Sequence, residues 1–193
     1  MNISMIIPAA GMSSRHIFNK LLQPTDDSTV IESTINSYLN HKFDIIVITG
    51  FESDKLLSVI PTFTKDKINI YHNANFKAGY STSIKLGVKS ARNNCDYFGF
   101  GLGDKPFIQH DTIQLIVNIL TKNRPGILIP TFDGIPGHPS FFSKDYYNDF
   151  MQISGDSGGK ELLNAYPNDV MYFPVNDRGI ILDMDMYYKQ NES

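Results

Sequence analysis

Short apolar runs alternate with amphipathic stretches over the first 130 residues, and this alternation constrains the fold most strongly. "ISMIIP" (3–8), "DIIVITG" (44–50), "KINIYH" (67–72), "DYFGFGLGD" (96–104) and "GILIPT" (126–131) read as strands. Between them lies "TVIESTINSYLN" (29–40), with apolar Val30, Ile31, Ile35, Tyr38 and Leu39 at helical spacing. "ESDKLLSVI" (52–60), "STSIKLGVKSA" (81–91) and "DTIQLIVNIL" (111–120) read as further helices, with Ser81 and Asp111 as the expected caps of the last two. Strands alternating with helices predict an α/β fold: a Rossmann-like, mostly parallel mixed sheet with helices on both faces. From about Pro130 the pattern loosens. "HPSFFS" (138–143) reads as one more strand, and "RGIILDMD" (178–185) as the closing strand after an inserted lobe.

The 193 residues suit a single domain over 1–193, and 41% hydrophobic content allows a full core. A net charge of −3 gives no electrostatic case for nucleic acid or an anionic membrane as partner. The single cysteine, Cys95, excludes an internal disulfide and a cysteine-based zinc site. With no apolar stretch near the 20 or so residues of a membrane helix, and no secretory signal evident at the start, a cytoplasmic protein is expected.

The turn after the first strand is the obvious ligand site, because open α/β sheets bind outside the carboxyl ends of their strands. There "PAAGMSSRHIFNK" (8–20) supplies Pro8, Ala9, Ala10 and Gly11 for close backbone approach, then Ser13, Arg15 and Lys20. Arg15 and Lys20 suit phosphate oxygens; the same residues equally make a tight turn with two solvated cations. Neither G-x-x-x-x-G-K-[ST] nor G-x-G-x-x-G is present, which argues against a P-loop kinase and an ordinary NAD dehydrogenase.

Further stretches have two readings each. In "AGYSTSIKLGV" (78–88), Gly79, Ser81 and Ser83 stand at a helix start, as nucleotide contacts or as an ordinary cap. Asp104, in "GLGDKPFI", ends a buried strand; Mg²⁺ takes few protein oxygens plus phosphate and water, so Asp104 suits a first metal ligand or caps the next turn. His138, in "GIPGHPSFFS", contacts a ligand or is structural. In "SGDSGGKELL", Gly155, Asp156 and Gly158 form an anion nest or a glycine turn.

In their order these segments resemble the molybdenum cofactor cytidylyltransferase (MocA-like) family of NTP transferases, along nearly the whole chain. "PAAGMSSRHIFNK" is similar to L-A-A-G-x-S-x-R-M-G-x-x-K, with His16 and Ile17 in place of Met-Gly. "GYSTSIKLG" is similar to G-M/L-S-S-S-L-R-x-G, "GLGDKPF" to L-A-D-Q-P-F, and "GIPGHPSFF" to G-x-x-G-H-P-V-x-F. "GDSGGKEL" is similar to G-D-x-G-A-R-x-L, and "GIILDMDMYY" to an ending with D-I-D-T-P-E-D, whose last four residues are replaced here.

The resemblance implies a GT-A-like nucleotidyltransferase fold with a nucleotide-binding half at about 1–108 and an acceptor-side half at about 109–193. It implies that an acceptor phosphate oxygen attacks the α-phosphorus of CTP, that a molybdopterin-type cofactor is the acceptor, and that pyrophosphate leaves. Arg15, Lys20 and Asp104 become catalytic. Pro8, Ala9, Ala10, Gly11, Ser13, Gly79, Ser81 and Ser83 bind the nucleotide, and His138, Gly155, Asp156 and Gly158 face the acceptor. Mg²⁺ (or Mn²⁺) rests on Asp104 and on Asp185 or Asp183; alternation on a strand would point these two to opposite faces, so one of them is expected to face the metal, and Asp185 is favoured. A monomer is expected, with a recipient molybdoenzyme as a further partner. Two other readings stay open: transfer to a sugar phosphate or other alcohol phosphate, and a non-catalytic cofactor carrier.

Overall fold

A computed structural model describes residues 1–11, 19–25 and 28–186, apart from the side chains of residues 62 and 63. The elements run β1 (Ile3–Ala9), α1 (Val30–Leu39), β2 (Phe43–Thr49), α2 (Ser53–Val59), α3 (Thr62–Lys65), β3 (Asn69–His72), α4 (Tyr80–Ser90) and β4 (Tyr97–Phe100). Then come α5 (His110–Asn123), β5 (Ile127–Phe132), β6 (Ile135–Pro136), β7 (Ser140–Ser143), α6 (Tyr147–Gln152), α7 (Gly159–Ala165) and β8 (Val170–Pro174).

The strands form one sheet in the order β3-β2-β1-β4-β7-β5-β6, with β8 beside β5. β3, β2, β1 and β4 are parallel, β7 runs antiparallel between β4 and β5, and β8 is parallel to β5. Successive strand residues face opposite sides. Met5, Ile7, Ile45 and Val47 pack with Ile31, Ile35 and Tyr38 of α1 and Ile113, Ile116 and Leu120 of α5. Ile6, Ile46 and Ile48 pack on the other side with Ile84 and Val88 of α4 and Phe150 of α6. Helices on both sides explain why β1 and β2 are mostly apolar, with Ser4 and Asp44 paired to each other near their starts. Gly87 lets α4 approach β1, since a Cβ there would lie 2.4 Å from Ile6 Cγ2.

Three expectations need correction. "RGIILDMD" is not a strand: Arg178–Ile180 is a 3₁₀ turn, and a helical turn begins at Met184. The Asp177 side chain accepts the Gly179 N–H at 2.8 Å and sets that turn, while Ile180 and Met184, four apart, are both buried. The closing strand is β8, and the segment before it is no separate lobe, because β7 lies inside the sheet. The caps also differ. Gly79, not Ser81, precedes α4, and Gln109, not Asp111, precedes α5, each without a side-chain cap bond.

Among the described residues no helix is long and apolar enough to cross a membrane. Strand order turns at β1, with β2 on one side and β4 on the other, so ligands are expected at the carboxyl ends of β1 and β4.

Candidate active site

At that point three segments meet. Pro8 and Ala9 close β1; Lys20 opens a 3₁₀ turn (Lys20–Leu22) capped by the Asn19 side chain, which accepts the Leu21 N–H at 3.2 Å. Asp104 lies beyond β4, in a loop tied to α1 by the Thr34 hydroxyl, which donates to the Gly103 carbonyl at 2.9 Å. The Lys20 ammonium pairs with the Asp104 carboxylate and lies 3.8 Å from that of Asp185. Burial lowers the Lys20 pKa, but the hydrogen bond and charge of Asp104, with the charges of Asp185 and Asp183, outweigh it and hold the group above its ordinary value. Lys20 therefore stays cationic.

The segment carrying Asp183 and Asp185 is held by its backbone. Lys105, 7% exposed, donates to the Ile181 carbonyl at 2.7 Å, and the His138 N–H donates to the Ile180 carbonyl at 2.9 Å. Buried Asp177 accepts the N–H of Gln109 at 2.9 Å. Asp183 accepts the Met186 N–H at 2.9 Å and so caps the last helical turn. The strand argument for choosing between the two aspartates therefore falls with the strand; what sets Asp185 apart is its nearness to Lys20. Lys105 was not anticipated. Burial lowers its pKa, partly offset by Asp104 and Asp183.

Two clefts open here. One, of about 560 Å³, is lined by Pro8, Ala9, Ala10, Gly11, Lys20, Gly79, Ser83 and Asp104. The other, of about 780 Å³, is lined by His138, Gly158 and apolar Phe100, Ile129, Phe142 and Leu163. Tyr80, Leu102 and Asp156 border both.

The start of α4 meets the 155–156 loop at this border. The Tyr80 N–H donates to Asp156 Oδ1 at 3.2 Å, and the Ser81 N–H to the Gly155 carbonyl at 3.0 Å. Both N–H groups are thus engaged within the protein, and Ser81, expected to contact the nucleotide, lines neither cleft. Asp156 and Gly155 act as the cap that α4 lacks within its own segment. Ser13 and Arg15 lie outside the described residues, as do His16 and Ile17.

His138 Nδ1 is 3.3 Å from the Phe100 carbonyl, and burial lowers its pKa to about 4, against the opposing pull of that carbonyl. It is neutral at pH 7. Since a carbonyl only accepts, the proton sits on Nδ1 and Nε2 is left as an acceptor. That suits a donor on a ligand and does not suit a phosphate.

Among the described residues no group of three or more His, Cys, Asp and Glu could hold a metal ion. Two carboxylates converging on one ammonium nevertheless fit Mg²⁺ or Mn²⁺, which commonly take one or two protein carboxylates with phosphate oxygens and water.

A mixed sheet with a cationic and carboxylate cluster at its switch point defines a nucleotide-binding transferase of the α/β class. The chain belongs to the MobA-like NTP transferase domain family, whose model matches residues 5–170. It is 28% identical over 183 residues to the molybdenum cofactor cytidylyltransferase of Escherichia coli (strain K12), covering 95% of this chain and 91% of that one. A homologue of Mycobacterium tuberculosis rv0371c from Mycobacterium sp. strain JC1 superposes with a TM-score of 0.83 at 22% identity, over 98% of this chain and 93% of that one. The Rv0371C protein of Mycobacterium tuberculosis H37Rv, solved in complex with manganese, superposes with a TM-score of 0.78 at 19% identity, over 100% of both chains.

Proposed function

We propose that this chain transfers CMP from CTP to a molybdopterin-type cofactor and releases pyrophosphate, as a Mg²⁺- or Mn²⁺-dependent cytoplasmic enzyme acting as a monomer. The observation that carries this reading is the Lys20 ammonium set between the carboxylates of Asp104 and Asp185, in a chain of this family. The identity to the Escherichia coli enzyme supports CTP and the molybdenum cofactor as substrates.

The roles follow from placement. Residues 8–11 line the nucleotide cleft at the carboxyl end of β1, and Ser83 lines it from α4. Lys20 neutralises triphosphate charge, and the family resemblance adds Arg15 and Ser13 to it. Asp104 and Asp185 hold the metal ion, with Asp183 shaping the turn beside them. Bound there, the ion supplies positive charge against the triphosphate and the departing pyrophosphate. An acceptor phosphate is already anionic, so the chain's task is to orient it and offset charge rather than to remove a proton.

His138 offers Nε2 to a donor on the acceptor molecule. Gly158 lines the acceptor cleft and Asp156 borders both, with Gly155 beside it in the chain; the nucleotide-binding half runs to about residue 108 and the acceptor-side half follows it. The apolar wall of the larger cleft favours a flat heterocyclic acceptor over a sugar phosphate. The product then passes to a recipient molybdoenzyme.

The reading is tested by thermal unfolding with each nucleotide and Mg²⁺ or Mn²⁺. A ligand at about 100 times its Kd adds about 2.7 kcal/mol of stability, which for a chain of this size raises Tm by about 5–11 °C. CTP is expected to give that shift, with smaller shifts from ATP and GTP and a loss of most of the effect in EDTA. Equal shifts from all nucleotides would remove the case for cytidylyl transfer.

A further inference from the structure

The carboxyl ends of the parallel strands spread the nucleotide cleft across the sheet. Asp104 follows β4, and Asn73 follows β3, three strands away in the order β3-β2-β1-β4. At the usual strand spacing that is about 14 Å. With triphosphate at the Lys20–Asp104 end, the base reaches toward the Asn73 end, where Ala10, Phe76 and Ser83 line the cleft.

Asn73 is 5% exposed, and its amide orientation is fixed by its partners. Oδ1 accepts the backbone N–H of Asn75 at 3.0 Å, so the other amide atom is the nitrogen. Nδ2 then donates its two protons to Thr82 Oγ1 at 2.8 Å and Ser83 Oγ at 2.9 Å. Thr82 uses its own proton on the Gly79 carbonyl at 2.8 Å. Ser83, 3% exposed, has Asn73 as its hydrogen-bond partner among the described residues. One of its two lone pairs takes that bond, and its proton, with no hydrogen-bond partner among the described residues, remains for the cleft.

We infer that Asn73 is a specificity-determining residue: by donating to Ser83 it makes that hydroxyl a donor toward the nucleotide base, selecting cytosine over uracil. Cytosine N3 carries a lone pair that accepts this proton; uracil N3 carries a proton of its own, so pairing with it turns the hydroxyl away and leaves the buried Ser83 proton without a partner. A site built to satisfy one polarity rejects the other strongly, because the mismatched buried groups are left unpaired. This inference rests on the nucleotidyltransferase reading and goes beyond it.

Asn73→Asp tests it. The substitution keeps Oδ1 for the Asn75 N–H but replaces the donor with a carboxylate oxygen, which draws the Ser83 proton away from the cleft. The added charge acts on CTP and UTP alike, so their ratio isolates the polarity. The CTP-over-UTP ratio of kcat/KM is expected to fall by at least about tenfold, the loss for CTP falling on KM rather than kcat. Ser83→Ala, which keeps a good helix former in α4, provides a second route and is expected to lower the same ratio. A parent that turns over CTP and UTP equally, or a ratio unchanged in both folded variants, overturns the inference and leaves the transferase reading standing. A parent that turns over no nucleotide defeats that reading itself, before any variant is made.

Discussion

Asp104→Asn is expected to lower turnover by at least about 10²–10³-fold while leaving the chain folded. The Asp104 carboxylate is the group that Lys20 contacts directly, and it lies in the loop after β4, the strand that borders β1 opposite β2. An amide keeps the shape but brings no charge to a divalent cation. It also frees Lys20 from the partner that positions its ammonium. The pair is only 20% and 17% exposed on its two sides, but Asp185 remains beside Lys20, so its loss costs about 1–3 kcal/mol, or about 2–12 °C in Tm. Pyrophosphate release measured beside a melting curve separates the two effects. Retained turnover would place the metal elsewhere, and a collapsed melting curve would show that the pair serves the fold.

Gly79→Ala is the second large effect, and here structure and activity fall together. Gly79 has φ of +111°, a region that side chains rarely adopt, and a Cβ there would lie 2.4 Å from the backbone carbon and oxygen of Gly155. Neither obstacle is the flexible end of a side chain, so the α4 start and the 155–156 loop must separate. That separation stretches the Ser81-to-Gly155 and Tyr80-to-Asp156 bonds, which hold the border between the two clefts. Backbone strain of this kind costs about 1–3 kcal/mol, and the loss of caps adds to it. A fall in Tm of about 5–10 °C is expected, with kcat/KM reduced about 100-fold, since displacement of about 1 Å between bound partners carries such a cost. A variant with parental Tm and kcat/KM would mean that the two clefts do not work as one site.

What could be read from the sequence follows from burial. β1, β2, β4 and β5 have helices or sheet neighbours on both faces, so their residues are mostly apolar and stand out. β8 pairs with β5 and keeps Tyr172 at 55% exposure; "VMYFP" is apolar, but it is short and ends at Pro174, and the longer apolar run that follows outweighs it. "GIILDMD" has the stronger signal but spends it on a turn, because Asp177 and the closeness of Gly179 to the Phe107 carbonyl leave no room for an extended chain.

The ion cluster shows the same limit. Lys20 and Asp104 stand 84 residues apart, and only the family resemblance linked them beforehand. Lys105 was invisible as a positioning group because its partner is the backbone carbonyl of Ile181. Asn73 was missed because its importance lies in the direction of two hydroxyl protons, which no spacing records.

The central claim is tested most directly by following the α-phosphorus. CTP labelled at the α-phosphate is incubated with the protein, Mg²⁺ and molybdopterin-type cofactor, and the products are separated. The account predicts that the label moves into the cofactor in a one-to-one ratio with pyrophosphate released, and that omitting the cofactor stops both. Label remaining in CTP while the cofactor stays bound would contradict catalysis, and label transferred to a sugar phosphate supplied alongside the cofactor would contradict the acceptor.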